Sequence, residues 1–217
     1  MIKIRKTISL TLSVILLLVI TFVVFESEVA KGIASPDSIN VTLTVTENIT
    51  MNSPADIALT SITGMASATV TGTATWTVKT NNDTGYNLGM KSGTTPAMQA
   101  AGLSIADYTP AIEGTPDYTW ALGTASAEFG FSPYNATSQT AKFKNSGAAC
   151  NTGANITQGQ CWLNFTGTDV QTANRSSETL AAGEANVLWV EVQVDVANGY
   201  VEDGAYSATI TATATTN

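Results

Sequence analysis

Asp107, Glu113 and Asp117 are the residues of this chain whose type and spacing come nearest to chemistry. Two carboxylates flanking a sugar bond can serve as acid and base or nucleophile, so the trio would suit glycoside hydrolysis. The chain has no histidine. That removes Ser-His and Cys-His pairs, and with them the commonest general base and the commonest metal ligand. Acids in the loops of an acidic protein are ordinarily solvated, and the sequence reads as a non-enzyme. Glu202 and Asp203 join the same three acids near turns, where calcium sites gather carboxylates and carbonyls. No Asp-x-Asp-x-Asp-Gly spacing supports calcium, and no cofactor is expected.

Cys150 and Cys161 are the two cysteines. In an exported chain a lone pair reads as a disulfide, and a metal site would need histidine or a second pair. Closing so short a loop contributes about 3 kcal/mol in the chain-entropy model. Asn-x-Ser/Thr sequons stand at Asn40, Asn48, Asn82, Asn135, Asn155, Asn164 and Asn174, each a candidate glycosylation site in a host that modifies them. Tyr108, Tyr118, Trp120, Phe129, Phe131, Tyr134 and Trp162 could form a sugar-stacking platform if exposed. The preferred reading is a small core beneath loops.

These residues must be carried by an exported β-protein. Lys3, Arg5 and Lys6 precede an uncharged apolar run over residues 7–25, and Gly32-Ile33-Ala34 offers small residues where a signal peptidase reads. Residues 1–34 are expected to be a signal peptide, with Ser35 starting the mature chain. The competing reading is a retained anchor, the only contact with a membrane. The net charge of −8 understates the acidity of the chain beyond this segment, where the only bases are Lys79, Lys91, Lys142, Lys144 and Arg175. A nucleic-acid partner needs a basic face, so none is expected.

Residues 35–217 read as a single domain. Leu188, Val190, Val192, Val194 and Val196 alternate with polar residues, and Tyr206, Ala208, Ile210, Ala212 and Ala214 alternate with Ser and Thr. Period two over such lengths predicts half-buried strands, and the Asn, Asp and Gly between them predict a hairpin. A second hairpin is predicted from Ala68–Thr80, through Asn81-Asn82-Asp83-Thr84-Gly85, to Tyr86, Leu88 and Met90. Asn40–Met51 reads as the first strand, with Val41, Leu43, Val45, Ile49 and Met51 on one face and Thr on the other. Asn52-Ser53-Pro54 ends it. Ile57, Leu59 and Ile62 suggest a short strand closed by Gly64. Residues 92–185 read as a loop-rich insertion with short apolar pieces.

Several pieces together resemble a group of exported β-sandwich surface proteins of small-genome bacteria. They are Trp76-Thr77-Val78-Lys79-Thr80-Asn81-Asn82-Asp83-Thr84-Gly85-Tyr86, Gly114-Thr115-Pro116-Asp117-Tyr118-Thr119-Trp120, Cys161-Trp162 and Gly204-Ala205-Tyr206-Ser207-Ala208-Thr209-Ile210. That resemblance implies a surface location and no known chemistry. The order of export segment, Thr-rich β-domain and leading strand is also similar in architecture to TasA-type biofilm-matrix fibre proteins, jelly rolls that polymerise by strand donation. The expectation is an antiparallel, jelly-roll-like β-sandwich, extracellular, assembling with copies of itself into a filament or surface layer. Val41, Leu43, Val45 and Ile49 would fill a neighbour's pockets, against Val190, Val192 and Val194. The alternative is an adhesin or lectin-like module whose residues 92–185 meet a surface glycan or protein.

Overall fold

The computed structural model describes residues 13–15, 38–135 and 137–217. The expected signal peptide or anchor, residues 1–34, lies outside the described residues apart from a helical turn at 13–15. Residues up to Thr44 form one unit and Val45–Asn217 another. In the first, residues 38–44 have no regular secondary structure.

The second unit is all-β and sandwich-like. Its strands are β1 (Ile49–Met51), β2 (Ala68–Thr80), β3 (Tyr86–Ser92), β4 (Met98–Ala100), β5 (Leu103–Asp107), β6 (Ala127–Asn135), β7 (Val170–Arg175), β8 (Glu184–Val194) and β9 (Ile210–Thr216). One sheet has the order β1-β2-β8-β6-β5-β4, the other β7-β3-β9. The pairings are antiparallel except β5 with β6, where Ala106 lies opposite Glu128 in a parallel register. The expected all-antiparallel sheet is corrected at that point.

Alternation builds the core. Along β2 the inner residues Ala74, Trp76 and Val78 are buried, while Thr69, Thr71, Thr73 and Thr75 are exposed. Along β8, Leu188, Val190, Val192 and Val194 are buried, and β2 meets them in register with Ala74 opposite Leu188 and Gly72 opposite Val190. Leu88 and Met90 of β3 pack from the second layer. Phe131 of β6 is stacked on Phe165 with ring centroids 4.4 Å apart, and Phe143 is tilted against it at 5.8 Å. Each such side chain contributes about 1.5–3 kcal/mol by leaving water.

The two expected hairpins do not form. β2 and β3 lie in different sheets, and so do β8 and β9. Asn81–Gly85 and residues 195–209 are crossings between layers. Turn residues permit a reversal but do not say to which sheet the chain returns. At Gly85 the crossing needs glycine: φ is +84°, and a Cβ there would lie 2.1 Å from the Arg175 carbonyl oxygen.

Residues 92–185 also prove integral to the sandwich. They supply β6, which sits between β8 and β5, and β7 of the second sheet. Nearly every residue of β6 is buried. A strand covered on both faces loses the polar alternation that marks strands in sequence.

The first strand is shorter than expected. Only Ile49–Met51 pairs, with Thr80, Lys79 and Val78, and residues 40–48 form no strand. The short strand expected at 57–62 is absent too.

Candidate assembly site

Thr46, Glu47 and Asn48, which follow Val41, Leu43 and Val45 in the chain, are held on the β2–β3 crossing. Asn81 Nδ2 donates to the Thr46 carbonyl at 3.0 Å, and Asn48 N–H donates to Asn81 Oδ1 at 2.6 Å. Asn82 Nδ2 donates to Glu47 Oε2 at 2.7 Å. Asn82 is itself fixed by accepting from the Thr84 N–H and hydroxyl. Among the described residues before Thr46 in the chain, the apolar side chains are exposed. Val41 is 86% exposed, Leu43 87% and Val45 73%. Ile49, the fourth residue expected in assembly, is half-buried within β1.

The chain after β1 leaves an edge open. Asn52 N–H donates to the Thr77 carbonyl at 3.2 Å, and its side chain accepts from Thr77 N–H. Odd-numbered residues of β2 therefore point their backbone groups towards β1. By the alternation of an antiparallel ladder, Thr73, Thr71 and Thr69 point the same way. Among the described residues none of the three finds a partner there.

Residues 53–63 run past that edge and take part in no hydrogen bond among the described residues. The reason lies in the register. β1 meets β2 with Ile49 opposite Thr80 and Met51 opposite Val78, so continuing the ladder sets Pro54 opposite Thr75 and Ile57 opposite Gly72. Proline has no N–H for the Thr75 carbonyl, and the ladder stops. Ile57 nevertheless comes to Gly72. A Cβ on Gly72 would lie 2.2 Å from Ile57 Cγ2 and 3.7 Å from Ile57 Cβ. The segment is tied down again at Gly64, whose carbonyl accepts from Val201 N–H at 3.0 Å.

Between residues 53–64, the inner face of β2 and β8, and residues 201–210 lies a cavity of about 1100 Å³. Val190 and Val192 line it, as does Trp76. Val194, expected beside them, is buried in the core and is not part of the lining.

The chain matches no family model, no curated protein and no solved structure.

The carboxylates that first suggested chemistry are engaged elsewhere. Asp107 accepts from Ala97 N–H at 2.8 Å, and burial pushes its carboxyl up. Asp117 accepts from the Tyr108 hydroxyl at 2.7 Å and from Ala111 N–H at 2.9 Å. Glu113, Glu202 and Asp203 are exposed. Among the described residues no three His, Cys, Asp or Glu side chains converge as a metal site would require. Cys150 and Cys161 are joined as a disulfide. Of the aromatic residues, Trp120 lies 4.4 Å from Tyr108 and 5.0 Å edge-on from Trp162, and Tyr108, Phe129, Phe131 and Trp162 are buried, whereas Tyr118 is half-buried and Tyr134 is exposed.

The sequons separate by exposure. Asn40, Asn48, Asn155 and Asn174 are exposed and Asn164 is half-buried. Asn82 and Asn135 are buried, and the Asn135 amide donates to Ser138 and Asn186. In a glycosylating host, peptide mass spectrometry of the folded chain is expected to find Asn82 and Asn135 unmodified, with any glycan on the exposed set.

One acid escaped sequence reasoning because it looks like an ordinary strand-edge residue. Glu128 on β6 is buried, and its Oε2 has no partner among the described residues. Burial pushes its carboxyl up, opposed by backbone N–H groups of Gly123 and Thr109. A raised folded-state value means the neutral acid fits the fold. That stability is full below the unfolded value and is lost as pH rises through the folded one. Glu128→Gln should therefore stabilise the protein at about pH 7 by on the order of 1 kcal/mol. The gain should vanish below about pH 4. Thermal melts at both pH values check this.

Proposed function

We propose that the protein is an extracellular structural subunit of a filament or surface layer. Residues 39–45 of one copy extend from their own subunit and complete the β-structure of the next, in a sandwich whose finer arrangement is jelly-roll-like. The observation that carries this reading is the arm itself. Val41, Leu43 and Val45 recur at period two with Thr between them, the pattern of a half-buried strand, yet all three are exposed and, among the described residues, unpaired. Exposed apolar runs on a soluble surface mark places of contact. In strand addition the main chain supplies affinity and alternate side chains fill pockets.

Export is supported by the basic, apolar N-terminal sequence, the acidic remainder and the disulfide. The adhesive alternative would need an open aromatic platform in residues 92–185, where Tyr108, Phe129, Phe131 and Trp162 are buried, Tyr118 and Trp120 are half-buried and Tyr134 is exposed. The test is electron microscopy of the chain exported from the full-length sequence and concentrated. Regular filaments with one repeat per subunit are the expected result, and monodisperse monomers at every concentration would refute it.

A further inference from the structure

The open edge of β2 and the cavity beside it point to a resident strap. We infer that residues 53–63 hold the acceptor gap of an unassembled subunit, and that residues 39–45 of a second copy displace them and pair with β2. The inference rests on the strand-donation reading and adds where the donor goes and what must move.

Four observations converge on this exchange. First, the gap is bordered by backbone that wants a partner. Thr69, Thr71 and Thr73 offer N–H and C=O groups to a neighbour that does not bond to them. Unpaired strand edges are templates for another chain. Second, the strap is a poor strand for a definable reason. Pro54 falls where Thr75 needs a donor, and among the described residues only the Asn52 side-chain amide reaches that carbonyl, at 3.5 Å. Its apolar residues also slip out of phase, with Ile57 and Leu59 two apart but Ile62 three further on. The arm has no such fault. Ile39, Val41, Leu43 and Val45 keep period two and contain no proline.

Third, the inner face of β2 has a position that a side chain from another segment fills. Gly72 presents no side chain, and Ile57 occupies the space a Cβ would take. Fourth, charge favours the exchange. Asp56 of the strap lines the same cavity as Glu202 and Asp203, whereas residues 39–45 are uncharged. Removing the strap separates like charges, and inserting the arm adds none. The arm thus replaces a segment that makes no backbone hydrogen bonds with one that can make a full ladder.

The strap can be locked in place. The Gly72 Cβ position lies 3.7 Å from Ile57 Cβ, within the range of a disulfide. The Ile57→Cys, Gly72→Cys double variant, exported as the full-length sequence and oxidised, is expected to form no filaments. Mild reductant should restore them, with the wild-type chain under the same reductant as control. Pro54→Val gives the strap back its N–H without a cross-link, and should slow polymerisation while raising amide protection over residues 53–63. Locked subunits that polymerise like wild type, or a Pro54→Val chain with unchanged rate, would overturn the strap. A wild-type chain that never polymerises, or a Leu43→Asp chain that still does, would overturn strand donation itself.

Discussion

Leu43→Asp is expected to leave the subunit folded, soluble and unable to assemble. In the isolated chain Leu43 is 87% exposed, so the substitution removes no buried contact. In a donated strand the same side chain sits in the middle of the buried face. Losing that burial costs about 2 kcal/mol. Burying an unpaired carboxylate adds at least about 2 kcal/mol more. Together these weaken each subunit contact roughly a thousandfold. Thr44→Asp is the matched control, because Thr44 lies on the opposite face of the arm and stays in water. Sedimentation and electron microscopy should show monomers for the first and filaments for the second, with equal melting temperatures. Filaments of unchanged yield from Leu43→Asp would refute donation by this face.

Phe131→Ala should be the most damaging single truncation of the core. Phe131 is fully buried, stacks on Phe165 and touches Phe143. Its backbone also exchanges two 2.9 Å hydrogen bonds with Leu163. The ring thereby joins β6 to the segment that follows the disulfide. Large-to-small changes at such a site cost about 3–5 kcal/mol. That is a large part of the roughly 5–15 kcal/mol that holds a domain folded. Urea unfolding should show a midpoint shift of that size at unchanged slope. A shift below about 1 kcal/mol would mean the aromatic cluster relaxes around the hole.

The parts of this fold legible in the sequence are those governed by one local rule. Period two located β2, β3 and β8, and the export context paired Cys150 with Cys161. What eluded sequence reasoning depends on partners far along the chain. Asn81–Gly85 and residues 195–209 carry turn residues, but only the layer packing decides that each crosses to the other sheet. β6 hid because both of its faces are covered, so Glu128 and Ser132 are buried beside Phe129 and Phe131. The arm shows the reverse error. Residues 40–48 alternate like a strand, yet a strand needs a neighbouring strand as well as a pattern, and among the described residues they pair with none. Pro54 was legible as a stop. That it stops a ladder at the Thr75 carbonyl becomes visible only once the β1–β2 register is known.

The Asn81–Asn82 clamp has a mechanical meaning in any filament pulled from its ends. Tension on a donated arm enters the subunit at Thr46, Glu47 and Asn48, through a few exposed or part-buried hydrogen bonds worth about 1 kcal/mol each. Next in line is β1, only three residues long, and then a stretch with no backbone bonds as far as Gly64. The long β2–β8 ladder lies behind them. Load would open the weak series first, paying out residues 45–67 with a contour on the order of 80 Å while the aromatic core stays closed. Such a fibre would stretch before it broke, and each subunit would carry its own shock absorber at the root of the arm.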